Sequence, residues 1–264
     1  MKAWFALVLL PFTLSAAQFG YGEYQGKAYW LKVSDSNPNQ YQLLSNAPFE
    51  SYQTVQTVNA DQVAKLPPIE KGSVYAVGLN YRSHAGDSGA RKPEIFFKSY
   101  DSVVLSGDLT RPKGATNVHF EGELVVVIGR QCYQVSEAEA LQCVFGYLAG
   151  NDLTERSWQG QDLQWWRAKG AKGFGPVSDW IQTAITIDKQ VVTTTLNGQI
   201  MQQETVANMI HGVSDIIVHA SQYIELRPGD LIFTGTPGRT RALKSGDVVS
   251  VSIDDIGSVT NTIR

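Results

Sequence analysis

Short apolar stretches recur along this chain from residue 73 onward, separated by glycine, proline or polar residues. Short stretches rich in valine and isoleucine predict β-strands. The predicted strands are residues 74–77, 95–98, 123–128, 185–187, 191–196, 231–234 and 248–253. The strand at 123–128 carries a continuous β-branched run, so we expect it to be buried on both faces.

Helical periodicity is rarer. It predicts helices at residues 136–145, 154–166 and 213–222. The first begins at Ser136 with Glu139 three positions later, which is the pattern of a capping box. Predicted strands outnumber helices and do not alternate with them regularly. The pattern therefore predicts an α+β, β-rich protein, built as a roll or sandwich with helices at its rim.

Residues 18–70 are predicted to form a small N-terminal β module. Residues 29–33 and 41–44 suggest a hairpin joined by the polar turn 35–39, and Pro67-Pro68 marks a boundary. The remaining residues, 71–264, carry the candidate chemistry and are predicted to form the catalytic domain.

The first 17 residues have the pattern of a secretory signal peptide. Lys2 precedes an apolar stretch that ends in Ser15-Ala16-Ala17, a small-residue cleavage pattern, and the stretch is too short to span a membrane. We expect cleavage after Ala17, a periplasmic or secreted product, and no membrane anchor after cleavage. The alternative is a cytoplasmic protein whose first element is apolar.

Composition and charge describe a soluble protein with a sizeable core. The chain has 264 residues, 43% of them hydrophobic, and a formal net charge of −3, which argues against a nucleic-acid partner. Arg239, Arg241 and Lys244 form a small basic group that is either a solvated loop or an aid to binding an anionic substrate. The two cysteines, Cys132 and Cys143, either form one disulfide or are buried free thiols.

Three carboxylates form the candidate metal site. Glu121 and Glu123 stand two apart at the start of the buried strand, and Asp152 follows in Asn151-Asp152-Leu153-Thr154. Residues two apart on a strand point to the same face, so the glutamates would repel each other unless a cation offsets the cost. Mg²⁺ suits such oxygen ligands. The alternative is an exposed glutamate pair and an aspartate that caps a helix.

The sequence around these carboxylates resembles the fumarylacetoacetate hydrolase family, in its branch of acylpyruvate hydrolases, oxaloacetate decarboxylases and hydroxyheptadienedioate-type isomerases. The matching segments are residues 77–84, 93–98, 121–123, 151–159, 168–169, 175–178, 196–198 and 226–237. The resemblance implies a mixed β-sandwich roll, a homodimer, and one Mg²⁺ or Mn²⁺ per subunit held by the three carboxylates.

The resemblance also implies roles for residues outside the carboxylate group. His84 matches a histidine that activates water, and Asp87 stands where relatives place an acid, often Glu, that supports the histidine. Lys169 matches a lysine beside the metal and substrate, with Lys172 as the alternative. His119 is a rival histidine that could support the metal carboxylates instead.

Substrate binding is implied for four further residues: Arg156, Gln159, Gly235 and Thr236. The last two match a segment that holds the substrate carboxylate. The family often continues this segment with glycines, whereas here residues 238–243 contain two arginines. That departure leaves the far end of the pocket open to a second carboxylate.

The expected function is metal-dependent hydrolysis of a C–C bond in acylpyruvate-like β-diketo acids such as fumarylpyruvate, which are small anionic keto acids. The alternative within enzymes is a decarboxylase or isomerase of 2-keto dicarboxylates such as oxaloacetate on the same metal site. The alternative from another class is a catalytically silent, metal-stabilised binding protein for keto acids.

Overall fold

A computed structural model describes residues 16–86, 89 and 91–264. The signal-peptide prediction lies almost entirely outside the described residues. Ala17, which precedes the predicted cleavage point, exchanges hydrogen bonds with Thr183. Among the described residues, no helix is long and apolar enough to cross a membrane.

Strands dominate the described chain. They are β1 (Gln18–Tyr24), β2 (Lys27–Val33), β3 (Gln40–Leu44), β4 (Thr54–Asn59), β5 (Ala64–Leu66), β6 (Val74–Gly78), β7 (Glu94–Lys98), β8 (Val103–Val104), β9 (Gly107–Leu109), β10 (Val118–His119), β11 (Gly122–Ile128), β12 (Val144–Asn151), β13 (Thr154–Glu155), β14 (Gly175–Pro176), β15 (Ile181–Gln182), β16 (Val191–Leu196), β17 (Gln199–Thr205), β18 (Leu231–Phe233), β19 (Val248–Ile253) and β20 (Gly257–Ile263).

Helices are short. The α-helices are α1 (Arg82–Ala85), α2 (Glu137–Ala140), α3 (Arg156–Gln159), α4 (Trp166–Gly170) and α5 (Val213–Ser221). Single 3₁₀ turns occupy Ala60–Gln62, Tyr100–Ser102, Leu141–Cys143 and Val206–Asn208.

One large mixed sheet organises the fold. Its order is β4-β3-β2-β1-β15-β12-β11-β18-β6-β7, with β5 paired to β1. A five-stranded sheet has the order β17-β16-β19-β20-β9. Two strand pairs, β10 with β13 and β8 with β14, complete the described ladders. The predicted α+β, β-rich class is confirmed.

Strand β11 lies at the centre of the molecule. All seven of its residues are buried, as its β-branched run predicts. Leu124 and Val126 point into a core shared with α5 and β19, whereas Val125 and Val127 point into a second core that contains Phe233. This two-sided packing fixes the start of β11, where the candidate metal ligands stand.

Most of the predicted elements are present, and three predictions are wrong in whole or in part. Residues 185–187 are not a strand, although Ile185 and Ile187 pack against the core that contains Leu124. The helix predicted at 136–145 ends at the turn Leu141–Cys143, because Val144 begins β12 and pairs with Ile128.

The helix predicted at 154–166 is not continuous. Residues 154–155 form β13 and pair with β10, α3 is one turn long, and α4 begins only at Trp166. Glycine at position 160 follows α3 and favours the break. The helix predicted at 213–222 is confirmed as α5.

The N-terminal strands extend the large sheet. The predicted hairpin is present as β2 and β3, with Leu31 opposite Leu43, and β1 pairs with β15. The division of the chain at residue 70 stays a prediction.

A disulfide joins Cys132 and Cys143, whose Cα atoms are 6.2 Å apart. It lies beyond the end of β11 and just before β12, so it closes the loop that connects these two strands. Of the two alternatives for the cysteines, the structure contains the disulfide.

Candidate metal centre and active site

Three buried carboxylates converge where β11 begins and β12 ends. Glu121 immediately precedes β11, Glu123 is its second residue, and Asp152 directly follows β12. The ladder pairs Gly122 with Asn151, and the backbone N–H of Asp152 donates to the carbonyl of Glu121 at 2.8 Å. One oxygen of each carboxylate lies within 4.8 Å of the others, and the three residues are 3%, 1% and 1% exposed. This burial excludes the alternative of an exposed glutamate pair.

A buried lysine bridges two of these carboxylates. Lys169 in α4 donates to Glu121 and, at 2.6 Å, to Oδ2 of Asp152. Lys172, the alternative, is exposed. The structure therefore brings Lys169 to the carboxylates, where its charge can stabilise a developing anion.

Lys98, the last residue of β7, is a second buried cation that the sequence reasoning did not assign to the site. Its Nζ donates to Oδ1 of Asp152 at 2.5 Å, to the carbonyl of Phe174 at 3.0 Å and to the carbonyl of Lys169. Lys98 thus holds Asp152 and the backbone of α4 together. The available signal was a lysine that ends an apolar strand, because a buried lysine needs a partner.

The carboxylates differ in protonation. Burial, then repulsion from Asp152 and Glu121, raises the pKa of Glu123 well above its usual value. Burial also tends to raise the pKa of Glu121, but the charges of Lys169, Arg156 and His84 lower it to about 2. Burial tends to lower the pKa of Lys169, yet Asp152 and the two glutamates raise it overall. Glu121 therefore retains its negative charge, whereas a negative charge on Glu123 is disfavoured.

His84, in α1, faces this cluster. Its Nδ1 lies 2.7 Å from the carbonyl oxygen of Gly238, and its Nε2 lies 3.8 Å from Oε1 of Glu121. Because a carbonyl oxygen only accepts hydrogen bonds, the neutral ring carries its proton on Nδ1 and leaves a lone pair on Nε2. In its neutral form the ring thus presents a proton acceptor toward the carboxylates. Asp87 lies outside the described residues, so its predicted pairing with His84 stays a prediction.

Gly235 follows β18 and contacts the cluster through its backbone. Its N–H donates to Oε2 of Glu123 at 2.7 Å. Its φ is +101°, and an added Cβ would lie 2.6 Å from Cβ of Asn80. Both the conformation and the close approach require glycine here.

The hydroxyl of Thr236 forms hydrogen bonds within the protein. Its hydroxyl donates to the carbonyl of Gly122 at 2.9 Å and accepts from Nε2 of Gln202. Gln202, which is buried and also accepts from the N–H of Gly122, was missed by the sequence reasoning because it lies in the polar strand β17. Together these contacts join the segment around Thr236 to the start of β11.

Arg156 and Gln159 lie one turn apart on α3. The Arg156 guanidinium donates to Glu121, to Oε1 of Gln159 at 2.8 Å and to the hydroxyl of Thr240 at 3.1 Å. The structure therefore brings Arg156 directly to the carboxylates, whereas Gln159 contacts Arg156.

His119 does not contact the carboxylates through its ring. Nδ1 bonds Thr240 at 2.9 Å and Nε2 bonds Asn117 at 3.0 Å. Burial, followed by the charge of Arg156, lowers its pKa. Residues 239, 241 and 244, which form the basic group, are all exposed.

Comparison with known proteins gives the family. The model for the C-terminal domain of fumarylacetoacetate hydrolase matches residues 73–264. The chain therefore belongs to the fumarylacetoacetate hydrolase family.

Individual relatives cover most of the chain. A 2,4-didehydro-3-deoxy-L-rhamnonate hydrolase from a Sphingomonas strain is 38% identical, over 74% of this chain and 78% of that protein. The crystal structure of 2-hydroxyhepta-2,4-diene-1,7-dioate isomerase from Mycobacterium marinum has 34% identity and a TM-score of 0.85, covering 94% of this chain and 98% of that one.

A second solved structure, fumarylpyruvate hydrolase from Pseudomonas aeruginosa in complex with Mn²⁺ and pyruvate, has 28% identity and a TM-score of 0.69. It covers 77% of this chain and 91% of that one. The family's members include hydrolases, isomerases and decarboxylases.

Proposed function

We propose that this protein hydrolyses a C–C bond in acylpyruvate-like β-diketo acids and requires Mg²⁺ or Mn²⁺. The observation that carries the proposal is the placement of Nε2 of His84 3.8 Å from Glu121, at the edge of three buried carboxylates. A proton acceptor and a cation-binding group side by side are what metal-assisted hydrolysis needs.

The carboxylates suit the proposed cation. Glu121, Glu123 and Asp152 offer only oxygen donors, which Mg²⁺ and Mn²⁺ prefer. The raised pKa of Glu123 reflects its burial and, after that, repulsion from Asp152 and Glu121, and a divalent cation would offset both. When bound there, the ion would polarise the neighbouring oxygens of a 2-keto acid and stabilise enolate character in the leaving fragment.

The chain's own side chains supply the remaining steps. His84 accepts a proton from the attacking water at Nε2, and the Gly238 carbonyl keeps the opposite nitrogen protonated. The ammonium of Lys169 stabilises negative charge that develops on the substrate. Arg156 is a further cation at the carboxylates, beside Lys169 and Lys98, and can orient an anionic substrate. Gly235 and Thr236 hold the adjoining loop through their contacts with Glu123 and Gly122.

Decarboxylation or isomerisation of a 2-keto dicarboxylate is the second candidate. It is favoured by the similarity to the Mycobacterium marinum isomerase, which covers almost the whole chain. Neither reaction consumes water, so neither needs a water-activating base at His84.

Turnover on defined substrates tests these two candidates. The protein is incubated with acetylpyruvate, fumarylpyruvate or oxaloacetate in Mg²⁺ or Mn²⁺, and loss of enol absorbance and release of pyruvate are followed. His84→Ala should slow acylpyruvate hydrolysis by about 10²- to 10⁴-fold and oxaloacetate turnover much less. His219→Ala, in α5 beside Tyr223, is the matched control.

Two outcomes would overturn the hydrolase proposal. One is a wild-type protein that turns over oxaloacetate alone, which favours the second candidate. The other is an unchanged hydrolysis rate in His84→Ala. Metal binding without turnover of any of the three substrates would instead favour a keto-acid binding protein.

We also propose that the protein is exported and that its leader, residues 1–17, is removed. The disulfide between Cys132 and Cys143 supports an oxidising compartment. Mass spectrometry of the protein from the periplasm or medium would give its first residue. A mature protein that retains Lys2 would contradict the proposal.

The homodimer is likewise a proposal, supported by the family resemblance. Light scattering coupled to gel filtration should give about twice the mass of one chain, which is 29.0 kDa before the leader is removed. A mass equal to one chain at micromolar concentration would contradict it.

A further inference from the structure

The helix that carries His84 has little packing of its own. Helix α1 is four residues long and none of its residues is buried. Hydrogen bonds rather than apolar contacts must therefore determine where its side chains point. The bonds that connect α1 to the rest of the molecule identify what orients the proposed base.

The backbone N–H and carbonyl of Gly238 form hydrogen bonds with two consecutive residues of α1. The carbonyl of Gly238 accepts from Nδ1 of His84 at 2.7 Å, and its N–H donates to the hydroxyl of Ser83 at 2.9 Å. The position of Ser83 thus decides whether the Gly238 carbonyl reaches the histidine ring.

Ser83 is in turn hydrogen-bonded to a residue of the five-stranded sheet. Its hydroxyl donates to Oε2 of Glu204 in β17, and the other carboxylate oxygen of Glu204 accepts from the Asn208 amide at 3.0 Å. Asn208 lies in the 3₁₀ turn Val206–Asn208 that follows β17. Two donors therefore fix both oxygens of one carboxylate, and the carboxylate fixes Ser83.

We infer that Ser83 and Glu204 are positioning residues for His84: the chain Asn208–Glu204–Ser83–Gly238 sets the orientation and tautomer of the proposed base. The inference rests on the proposed role of His84. Neither Ser83 nor Glu204 touches the carboxylate cluster in the described structure, so both act through Gly238.

The first test measures turnover and metal binding. Ser83→Ala and Glu204→Ala should each lower kcat by roughly 5- to 30-fold, the factor associated with one or two kcal/mol, while KM and Mn²⁺ affinity stay near wild type. Ser83→Thr keeps a hydroxyl and should restore most of the rate. Ser214→Ala, which removes a half-buried serine at the start of α5 whose hydroxyl donates to the carbonyl of Glu137, is the control.

A double-mutant cycle asks whether the two residues act together. If Glu204 works only by holding Ser83, the double variant should be no slower than the worse single variant. Fully additive losses would show that the two residues act independently and would overturn the inference.

Two further readouts need no turnover. ¹⁵N spectra of labelled His84 should show a single Nδ1–H tautomer in the wild type and a mixture in Ser83→Ala. Trypsin cuts after Arg82, inside α1, so cleavage there should accelerate in Ser83→Ala and Glu204→Ala and not in Ser214→Ala.

These readouts separate the two proposals. If the wild type hydrolyses none of the substrates but the tautomer and the cleavage rate change as expected, the proposed function fails and the positioning role stands. If both readouts are unchanged in Ser83→Ala and Glu204→Ala, the positioning role is wrong whatever the activity.

Discussion

The two ends of the strand pair β11–β12 are held together in opposite ways. At one end, where β11 begins and β12 ends, the buried carboxylates of Glu121 and Asp152 are joined through the ammonium of Lys169. At the other end, beyond Ile128, the disulfide between Cys132 and Cys143 closes the connection. One end is tied by charges that cost desolvation, and the other by a covalent bond.

This difference shows where the fold carries its function. Buried ion pairs add little net stability compared with apolar packing, so their presence at one end calls for another explanation. The disulfide at the other end needs no such explanation, because it restricts the unfolded chain. We therefore place the proposed function at the charged end and assign a structural role to the disulfide end.

Replacing Lys98 at the charged end should cause the largest loss of stability. Lys98→Met leaves Asp152 without its second cation and removes one of the two donors to the carbonyl of Phe174, which also accepts from the N–H of Leu153. Loss of one partner of a buried pair costs about 3–5 kcal/mol, so urea unfolding without metal should show a loss of that size. Lys172→Met, at an exposed lysine near α4, should change the free energy of unfolding by less than about 0.5 kcal/mol.

Equal stabilities for the wild type and Lys98→Met would show that Asp152 does not depend on this lysine. The contrast between the two ends of the strand pair would then lose its energetic basis.

Reducing the disulfide should break the other end and leave the site intact. The cysteines are 11 positions apart, and chain entropy for a loop of that length predicts a loss of about 3 kcal/mol. Urea unfolding of the oxidised protein and of a Cys132→Ser/Cys143→Ser variant measures this loss. Mn²⁺ affinity, measured by calorimetry, should be equal in the two proteins; a large change in affinity would show that the two ends are coupled.

Metal binding should stabilise the protein through the charged end of the strand pair alone. At free Mn²⁺ of about 100 times its Kd, the native state should gain about 2.7 kcal/mol. Glu123→Gln should lose this gain because a carboxylate ligand is removed. A variant with unchanged Mn²⁺ stabilisation would remove Glu123 from the site.

The same variant separates metal binding from pH dependence. Since the pKa of Glu123 is raised in the folded protein, the native state holds a proton that the unfolded state releases. Stability of the metal-free wild type should therefore fall as pH rises from the usual glutamate pKa toward the raised one. Glu123→Gln should flatten that fall, and a slope identical to that of the wild type would contradict the raised pKa.

The sequence predicted the elements whose signal is local. The run Leu124 to Ile128 predicts a buried central strand without any tertiary information, and α5 follows from its own periodicity. The sequence pattern predicts a helix through residues 144–145, because the capping pattern at Ser136 shows where the helix begins but not where β12 begins. Pairing with β11 decides that boundary, and pairing is not local.

The site was predictable to a similar depth. Glu121, Glu123, Asp152 and Lys169 belong to motifs, and the structure brings their side chains together. Lys98 was not assigned because its role depends on β7 passing beside α4, which no local pattern reveals. The contact of His84 with Gly238 is a backbone contact between segments 154 positions apart, so side-chain types alone could not indicate it.

The smallest effect is expected from the helix cap at the disulfide end. Helix α2 follows Ser136, whose N–H and hydroxyl both donate to Oε2 of Glu139, at 2.9 and 2.7 Å. These bonds lower the pKa of Glu139, so the stability they contribute is present at neutral pH and is lost as pH falls through the lowered pKa. Ser136→Ala should lower Tm by no more than about 3 °C at pH 7. Because both proteins lose the carboxylate in acid, the difference in Tm should shrink as pH falls, and a difference that stays constant would show that Glu139 does not supply it.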